Sequence, residues 1–336
     1  MLIVNLLYKY NFGGAEKVAE SYAKVLNNLG YETQTIGVKA KRNNQLNNLT
    51  LVNTKVDYFL YLLKNFRGDK VFFCHCNFAL ISIIVISFFL RKKNERLFYV
   101  QHLEYTSSKR KLIYWLVNRF FDGYIEIKGH SYKEISIINS NKIYKIHNFS
   151  ISSSDESSIN SANKLNELQA LKTEGYKLYL FVGAVKEGKG VEHLIHIARQ
   201  LSAIRSKYKI VFVGDGDELK NFKSKVTASN LDNEFIFCGF SSSPDLFMKL
   251  SDTLLFTSDR SEVTPMVVIE SIDNNLPIVA FDLPFNRRYL DSRCLFGVGD
   301  YKGIASYLEQ GRAFIHSNKF NESYALDKFR ILLESK

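Results

Sequence analysis

At 336 residues, 46% apolar and 24% charged, the chain is long for one core, suits two domains and is not disordered overall. Its net charge of +11 is unevenly placed: residues 1–150 carry 22 Lys and Arg against 10 Asp and Glu, whereas residues 151–336 carry 23 against 24. The first half therefore suits a polyanionic partner such as lipid headgroups, a phosphate-bearing acceptor or nucleic acid.

The stretch LIVNLLY, residues 2–8, reads as a buried first strand. GGAEKVAESYAKVLNNLG then opens with a glycine turn and continues as a helix, with Val18, Tyr22, Val25, Leu26 and Leu29 on one face and Gly30 at its C-terminal cap. YETQTIGV is a second strand, which makes a βαβ start. KVFFCHC, RLFYVQH, GYIEI and KIYKIHN are further strands with helical stretches between them. In the first of these the two thiols, Cys74 and Cys76, share a strand face and His75 takes the other. No second ligand pair follows at metal spacing, so buried reduced thiols are expected rather than zinc. FALISIIVISFFL, residues 78–90, is too short to span a bilayer and reads as a buried helix. The N-terminus lacks a charged leader and a small-residue cleavage site, and the expected compartment is the cytosol.

Residues 151–175 turn to Ser, Asn and charge and read as a linker running into a helical segment. A second doubly wound α/β pattern follows over 176–315: KLYLFVGAV, YKIVFVGDG, EFIFCGF, TLLFTS and PIVAFD as strands, with helices between. The expected architecture is two Rossmann-like domains, 1–150 and 176–315, facing a central cleft, with a closing helix in 316–336 that packs back on the first domain.

Two glutamates, Glu262 and Glu270, bracket an apolar stretch after TLLFTS. Glu262 follows the C-terminal end of a parallel strand, where such sheets bind ligands. Thr264 and Pro265 read as N-cap and first helical residue, so backbone amides at Pro265, Met266 and Val267 would suit a diphosphate. Glu270, one to two turns in, can accept two hydrogen bonds from a ribose diol. The competing reading is a capped helix with two solvated carboxylates. Asp215 and Asp217 form a D-x-D that could hold a metal and a diphosphate, as in GT-A glycosyltransferases, but Asp217 also suits a helix N-cap.

In this order and spacing, FVGAVKEGKGVEHLI (181–195), IVFVGDGDEL (210–219), FIFCGF (235–240) and the E-x7-E pair resemble the retaining GT-B glycosyltransferases of family 4. The resemblance implies that Glu270 binds the ribose of a nucleotide-sugar, a UDP-sugar by family habit, and that Glu262 contacts the donor sugar. Lys189 would neutralise the diphosphate, with Lys186 nearby. Gly214 and Gly216 would let backbone approach the nucleotide, and Cys238 and Gly239 would lie by the base. Gly13 and Gly14 would line the site from the first domain, and His102 matches the family's active-site histidine. The sequence departs from the pattern at three places: Ala184 stands where the family has Arg, Val263 replaces a glycine, and Asn274-Asn275 replace one at a helix end. No carboxylate nucleophile is evident, Glu104 being the nearest to His102. The resemblance therefore implies front-face chemistry with no metal or cofactor.

RKKNER (91–96) and SSKRKLIYWLVNRFF (107–121) suit an anionic membrane surface and a lipid-diphosphate-linked or glycan acceptor. The implied protein is a peripheral enzyme of bacterial surface-polysaccharide assembly on the inner face of the cell membrane. The alternatives are a non-catalytic nucleotide-sugar-binding homologue and a metal-dependent transferase. Nucleic acid is not the expected partner, because no recognition motif accompanies the charge.

Overall fold

The computed structural model describes residues 1–9, 14–39, 48–92, 94–102, 105–127, 132–151, 159–259, 265–311, 314–316 and 321–334. The chain divides into two compact units, Met1–Ile151 with Phe320–Lys336, and Ser152–Lys319.

In the first unit, β1 (Leu2–Lys9), β2 (Glu32–Val38), β3 (Leu49–Val52), β4 (Lys70–Cys74), β5 (Glu95–Val100), β6 (Gly123–Glu126) and β7 (Ile143–Lys145) form one parallel sheet in the order β3-β2-β1-β4-β5-β6-β7. Both faces of the sheet are covered, which is why its strands read as near-continuous apolar runs. Phe72 and Cys74 of β4 point into a core closed by α2 (Lys55–Asn65), α3 (Asn77–Leu90) and α4 (Ser107–Phe120). The next residue over, Phe73, points the other way, toward α1 (Gly14–Asn28) and its Tyr22. Helix α1 ends as its sequence implies: Gly30 takes φ +86°, and Tyr31 N–H closes on the Leu26 carbonyl.

The second unit is built the same way. Strands β8 (Lys177–Val182), β9 (Tyr208–Val213), β10 (Phe235–Gly239), β11 (Thr253–Phe256), β12 (Ile278–Phe281) and β13 (Leu295–Phe296) run parallel in the order β10-β9-β8-β11-β12-β13. Helices α6 (Val191–Ala203), α7 (Leu219–Ala228) and α10 (Tyr301–Glu309) close one face of the sheet. Helices α5 (Ile159–Thr173), α8 (Asp245–Leu250) and α9 (Met266–Asp273) close the other.

The segment 151–175, read from its composition as linker running into a helix, is mostly α5. That helix belongs to the second unit and buries Leu168 completely. The closing helix, α11 (Glu322–Glu334), belongs to the first unit. Its Phe329 is fully buried against Tyr22, Phe73 and Phe149. Arg96 donates to the carbonyls of Leu332 and Leu333 at 2.9 and 3.0 Å, a cation on the negative end of the helix.

Two sequence readings need correction. β4 stops at Cys74, so Cys76 is not on the strand but N-caps α3, its sulfur accepting from Ala79 N–H at 3.3 Å. Helix α3 is not buried all round: Phe88 and Phe89 are each 75% exposed. No helix among the described residues is long and apolar enough to cross a membrane.

Candidate active site

Each sheet has a topological switch, where the chain leaves one strand to one side and returns on the other. Ligands of open α/β sheets bind at the carboxyl ends of the two strands there. In the second unit the switch lies between β8 and β11. The loop after β8 carries Lys186 and Lys189, a turn closed by Lys189 N–H on the Lys186 carbonyl at 3.2 Å. Lys186 is exposed and Lys189 partly buried. Gly190 follows at φ +63° as the N-cap of α6. A side chain there would put Cβ 1.8 Å from the Thr257 carbonyl oxygen, just past β11. Ser258 donates its hydroxyl to the Gly188 carbonyl at 3.1 Å. The two switch-point loops are thus locked to each other.

The adjoining strand ends complete this edge. Cβ atoms on Gly214 and Gly216 would meet the carbonyls of Gly183 and Val185 at 2.0 and 2.3 Å. These glycines let the β9 loop lie against the β8 loop, a packing role that spacing alone did not reveal. Gly214 N–H donates to the Gly239 carbonyl at 2.8 Å, tying in the end of β10. Gly239 takes φ +72° with open space where a side chain would go. Cys238 is partly buried, and burial raises its thiol to about 12, so it stays protonated.

Helix α9 follows β11 and begins one residue later than its sequence implies. Pro265 is the N-cap and Met266 the first helical residue; Thr264 lies outside the described residues. Proline has no amide hydrogen, and Val268 N–H bonds the Pro265 carbonyl, so the first-turn donors are Met266 and Val267. Glu270 lies one turn on, partly buried. Glu262, with Val263, falls outside the described residues, as do Gly13, Glu104 and the neighbouring Leu103.

The D-x-D does not behave as its N-cap reading implies. Glu218, not Asp217, stands at the N-cap of α7, without a side-chain cap bond. Asp215 accepts from Gly216 N–H at 2.8 Å. Among the described residues no three His, Cys, Asp or Glu side chains are grouped to hold a metal.

In the first unit the switch lies between β1 and β4. Gly14 opens α1 there, with space around it. His102, after β5, bonds His75, after β4, with Nε2 to Nδ1 at 2.8 Å and the rings stacked. His75 Nε2 meets Asn5 Oδ1 of β1 at 3.1 Å, and the Asn5 amide nitrogen reaches the Ala19 carbonyl at 3.4 Å. That last bond orients the amide and fixes the tautomers. Asn5 Oδ1 accepts from His75 Nε2–H, so His75 Nδ1 accepts from His102 Nε2–H. His102 Nδ1 is left as the acceptor of its ring.

Sequence reasoning found His102 but missed His75 and Asn5. The signal was a single polar residue inside each of two apolar stretches, LIVNLLY and VFFCHC. In the second unit it missed His193 of α6, whose ring bonds Tyr301 at 2.8 Å and Asp259 of the β11 loop at 3.4 Å.

Burial lowers His102 to about 3. Burial, and then the neighbouring His102, push His75 well below its ordinary 6.5. Both rings are neutral at pH 7, so His102 acts as a hydrogen-bonding group and not as a cation. The unfolded chain protonates both near 6.5 while the folded chain does not. The rings' contribution to stability is therefore full above pH 6.5 and is lost on acidification, for His102 down to about pH 3, by up to about 1.4 kcal/mol per pH unit for each ring. Thermal melts should drop steadily between pH 7 and 5, and less steeply in His75→Asn. Identical slopes would show that these rings do not set the acid limb.

Two doubly wound parallel α/β units in one chain define a GT-B fold, and solved structures agree over the full length. Anabaena Alr3699/HepE in complex with UDP and glucose superposes with a TM-score of 0.76 at 17% identity, covering 100% of both chains. The pneumococcal O-GlcNAc transferase GtfA in complex with UDP and GlcNAc gives 0.74 at 11% identity, covering 99% of this chain and 98% of that one. Residues 164–310, which hold the second unit's switch point, match the family described as Glycosyl transferases group 1.

Among curated relatives, an uncharacterized glycosyltransferase of Methanocaldococcus jannaschii is 23% identical over 252 residues, 66% of this chain and 58% of its own length. The amylovoran biosynthesis glycosyltransferase AmsD of Erwinia amylovora is 23% identical over 287 residues, 81% of this chain and 78% of its own.

Proposed function

We propose that the chain moves a sugar from a UDP-sugar to a glycan or lipid-diphosphate-linked acceptor, retaining the anomeric configuration and using no metal. The observation that carries this reading is the edge at the β8/β11 switch point. There a lysine turn and interlocked glycine loops meet, and α9 is the helix that follows β11, within the segment that matches the group 1 family.

In this reading Glu270 holds the ribose, and the Met266 and Val267 amides with Lys189 hold the diphosphate. As the bond from the anomeric carbon to the phosphate oxygen breaks, charge grows on the diphosphate, and the fixed ammonium stabilises it. The acceptor hydroxyl attacks from the leaving-group side and its proton passes to the β-phosphate oxygen. Glu262 orients the donor sugar; alignment of the reactants supplies much of the barrier reduction. UDP is favoured because the HepE and GtfA structures are complexes with it. Surface-polysaccharide assembly is favoured by the likeness to AmsD, and the basic first half suits work at the inner face of an anionic membrane.

The test is transfer from UDP-hexoses with EDTA present, the product anomer read by NMR. A retained anomer and EDTA-insensitive turnover are expected; an inverted anomer would overturn the reading. A second reading, a non-catalytic homologue that binds nucleotide-sugar, is favoured by the exposed Ala184 where the family carries Arg. It predicts nucleotide binding with no turnover on any donor.

A further inference from the structure

Helices α2, α3 and α4 cover the same face of the first unit's sheet, so their outer sides look the same way. Those sides are apolar. On α3, Ile81, Val85, Phe88 and Phe89 recur at helical spacing, all exposed. On α4, Leu112 and Trp115 stand out one turn apart, with Trp115 54% exposed. Val56 and Leu60 continue the layer on α2. These three helices hold nine of the fifteen large apolar side chains exposed among the described residues, a concentration that marks an interaction surface rather than scattered exposure.

The charge says what covers it. Residues 55–67, 77–92 and 107–120 hold nine Lys and Arg and one acidic residue, Asp57; Arg91 and Arg110 are paired with Asp122 and Glu134, which leaves seven other cations. Asp57 is engaged in the capping box of α2 with Thr54. Lys92 follows the Phe88–Phe89 pair, and Lys109 and Lys111 precede Trp115, all three exposed. A protein partner of matching shape would need an acidic, apolar face. A bilayer of anionic lipid offers both properties at once: acyl chains for the rings and phosphates for the lysines.

We propose that this three-helix layer is a membrane-docking surface that inserts Phe88, Phe89 and Trp115 below the headgroups of an anionic bilayer. The proposal deepens the membrane part of the reading above and rests on it for its setting, but its test uses neither donor nor acceptor. Lost docking and lost transfer are therefore read separately.

Trp115 is the only tryptophan of the chain, so its emission reports on this face alone. With phosphatidylglycerol vesicles the protein should co-sediment, its emission should shift to the blue, and brominated acyl chains should quench it. Phosphatidylcholine vesicles should produce none of the three. The F88S/F89S double variant, whose changes lie on exposed positions, should keep the wild-type melting temperature and lose at least tenfold in vesicle affinity. Co-sedimentation without a Trp115 shift, and equal in F88S/F89S, would reduce the contact to surface electrostatics and overturn insertion. A wild-type dimer by light scattering that F88S/F89S turns into a monomer would assign the face to a second copy of the chain instead.

Discussion

Gly190→Ala is expected to destabilise the second unit by about 2–5 kcal/mol and to weaken nucleotide binding with it. The residue sits at φ +63°, where a side chain costs about 1–2 kcal/mol. Its Cβ would also lie 1.8 Å from the Thr257 carbonyl oxygen, which is backbone and cannot swing aside. Relief requires moving the β8 loop away from the β11 loop, an overpacking strain of about 1–3 kcal/mol. That movement also breaks the Ser258–Gly188 bond and shifts Lys189. For a unit of this size the melting temperature should fall by on the order of 10 °C. Gly239→Ala is the control: its φ is +72° but nothing lies within 4 Å of the added carbon, so only the backbone cost remains. A Gly190→Ala protein that melts with the wild type would show that the two loops are not locked as described.

Glu270→Ala is expected to weaken UDP binding about 10–100-fold with little change in stability. Hydrogen bonds to a charged acceptor contribute about 1.5–3 kcal/mol each, and a ribose diol offers two. Water in the emptied site recovers part of that, and 1.4 kcal/mol is a factor of ten. The change in stability should be small, because Glu270 is only partly buried on α9 and alanine is the better helix former. Glu270→Gln, which keeps the shape and loses the charge, should fall between. A dissociation constant within twofold of wild type would remove Glu270 from the ribose role.

Both doubly wound patterns were legible because buried parallel strands and amphipathic helices differ in period, and Gly30 announced the end of α1. The β3 strand was not: its four residues are partly buried at the sheet edge, and so short a run carries little periodic signal. Helix α3 misled for a physical reason. Its sequence is apolar all round, so nothing in it separates the face on the sheet from the face carrying Phe88 and Phe89; only the layer built by α2 and α4 does. Helix α5 hid behind a Ser- and Asn-rich beginning, although Leu165, Leu168 and Leu171 already mark a face at helical spacing.

At the candidate site, sequence marked the loops but not what holds them. Gly214 and Gly216 read as room for a ligand, and their missing side chains are filled by neighbouring carbonyls. His102 was visible by resemblance, whereas the Asn5–His75 chain that fixes its tautomer joins residues far apart in sequence.

The most direct test of a nucleotide-sugar site in the second unit is calorimetric titration of the wild-type chain with UDP, GDP and ADP, with and without EDTA. UDP is expected to bind, unaffected by EDTA, and at 100 times its dissociation constant to add about 2.7 kcal/mol of stability. Binding that EDTA abolishes would move the diphosphate to a metal at Asp215 and Asp217, and no binding of any nucleotide would contradict a donor site at the β8/β11 switch point.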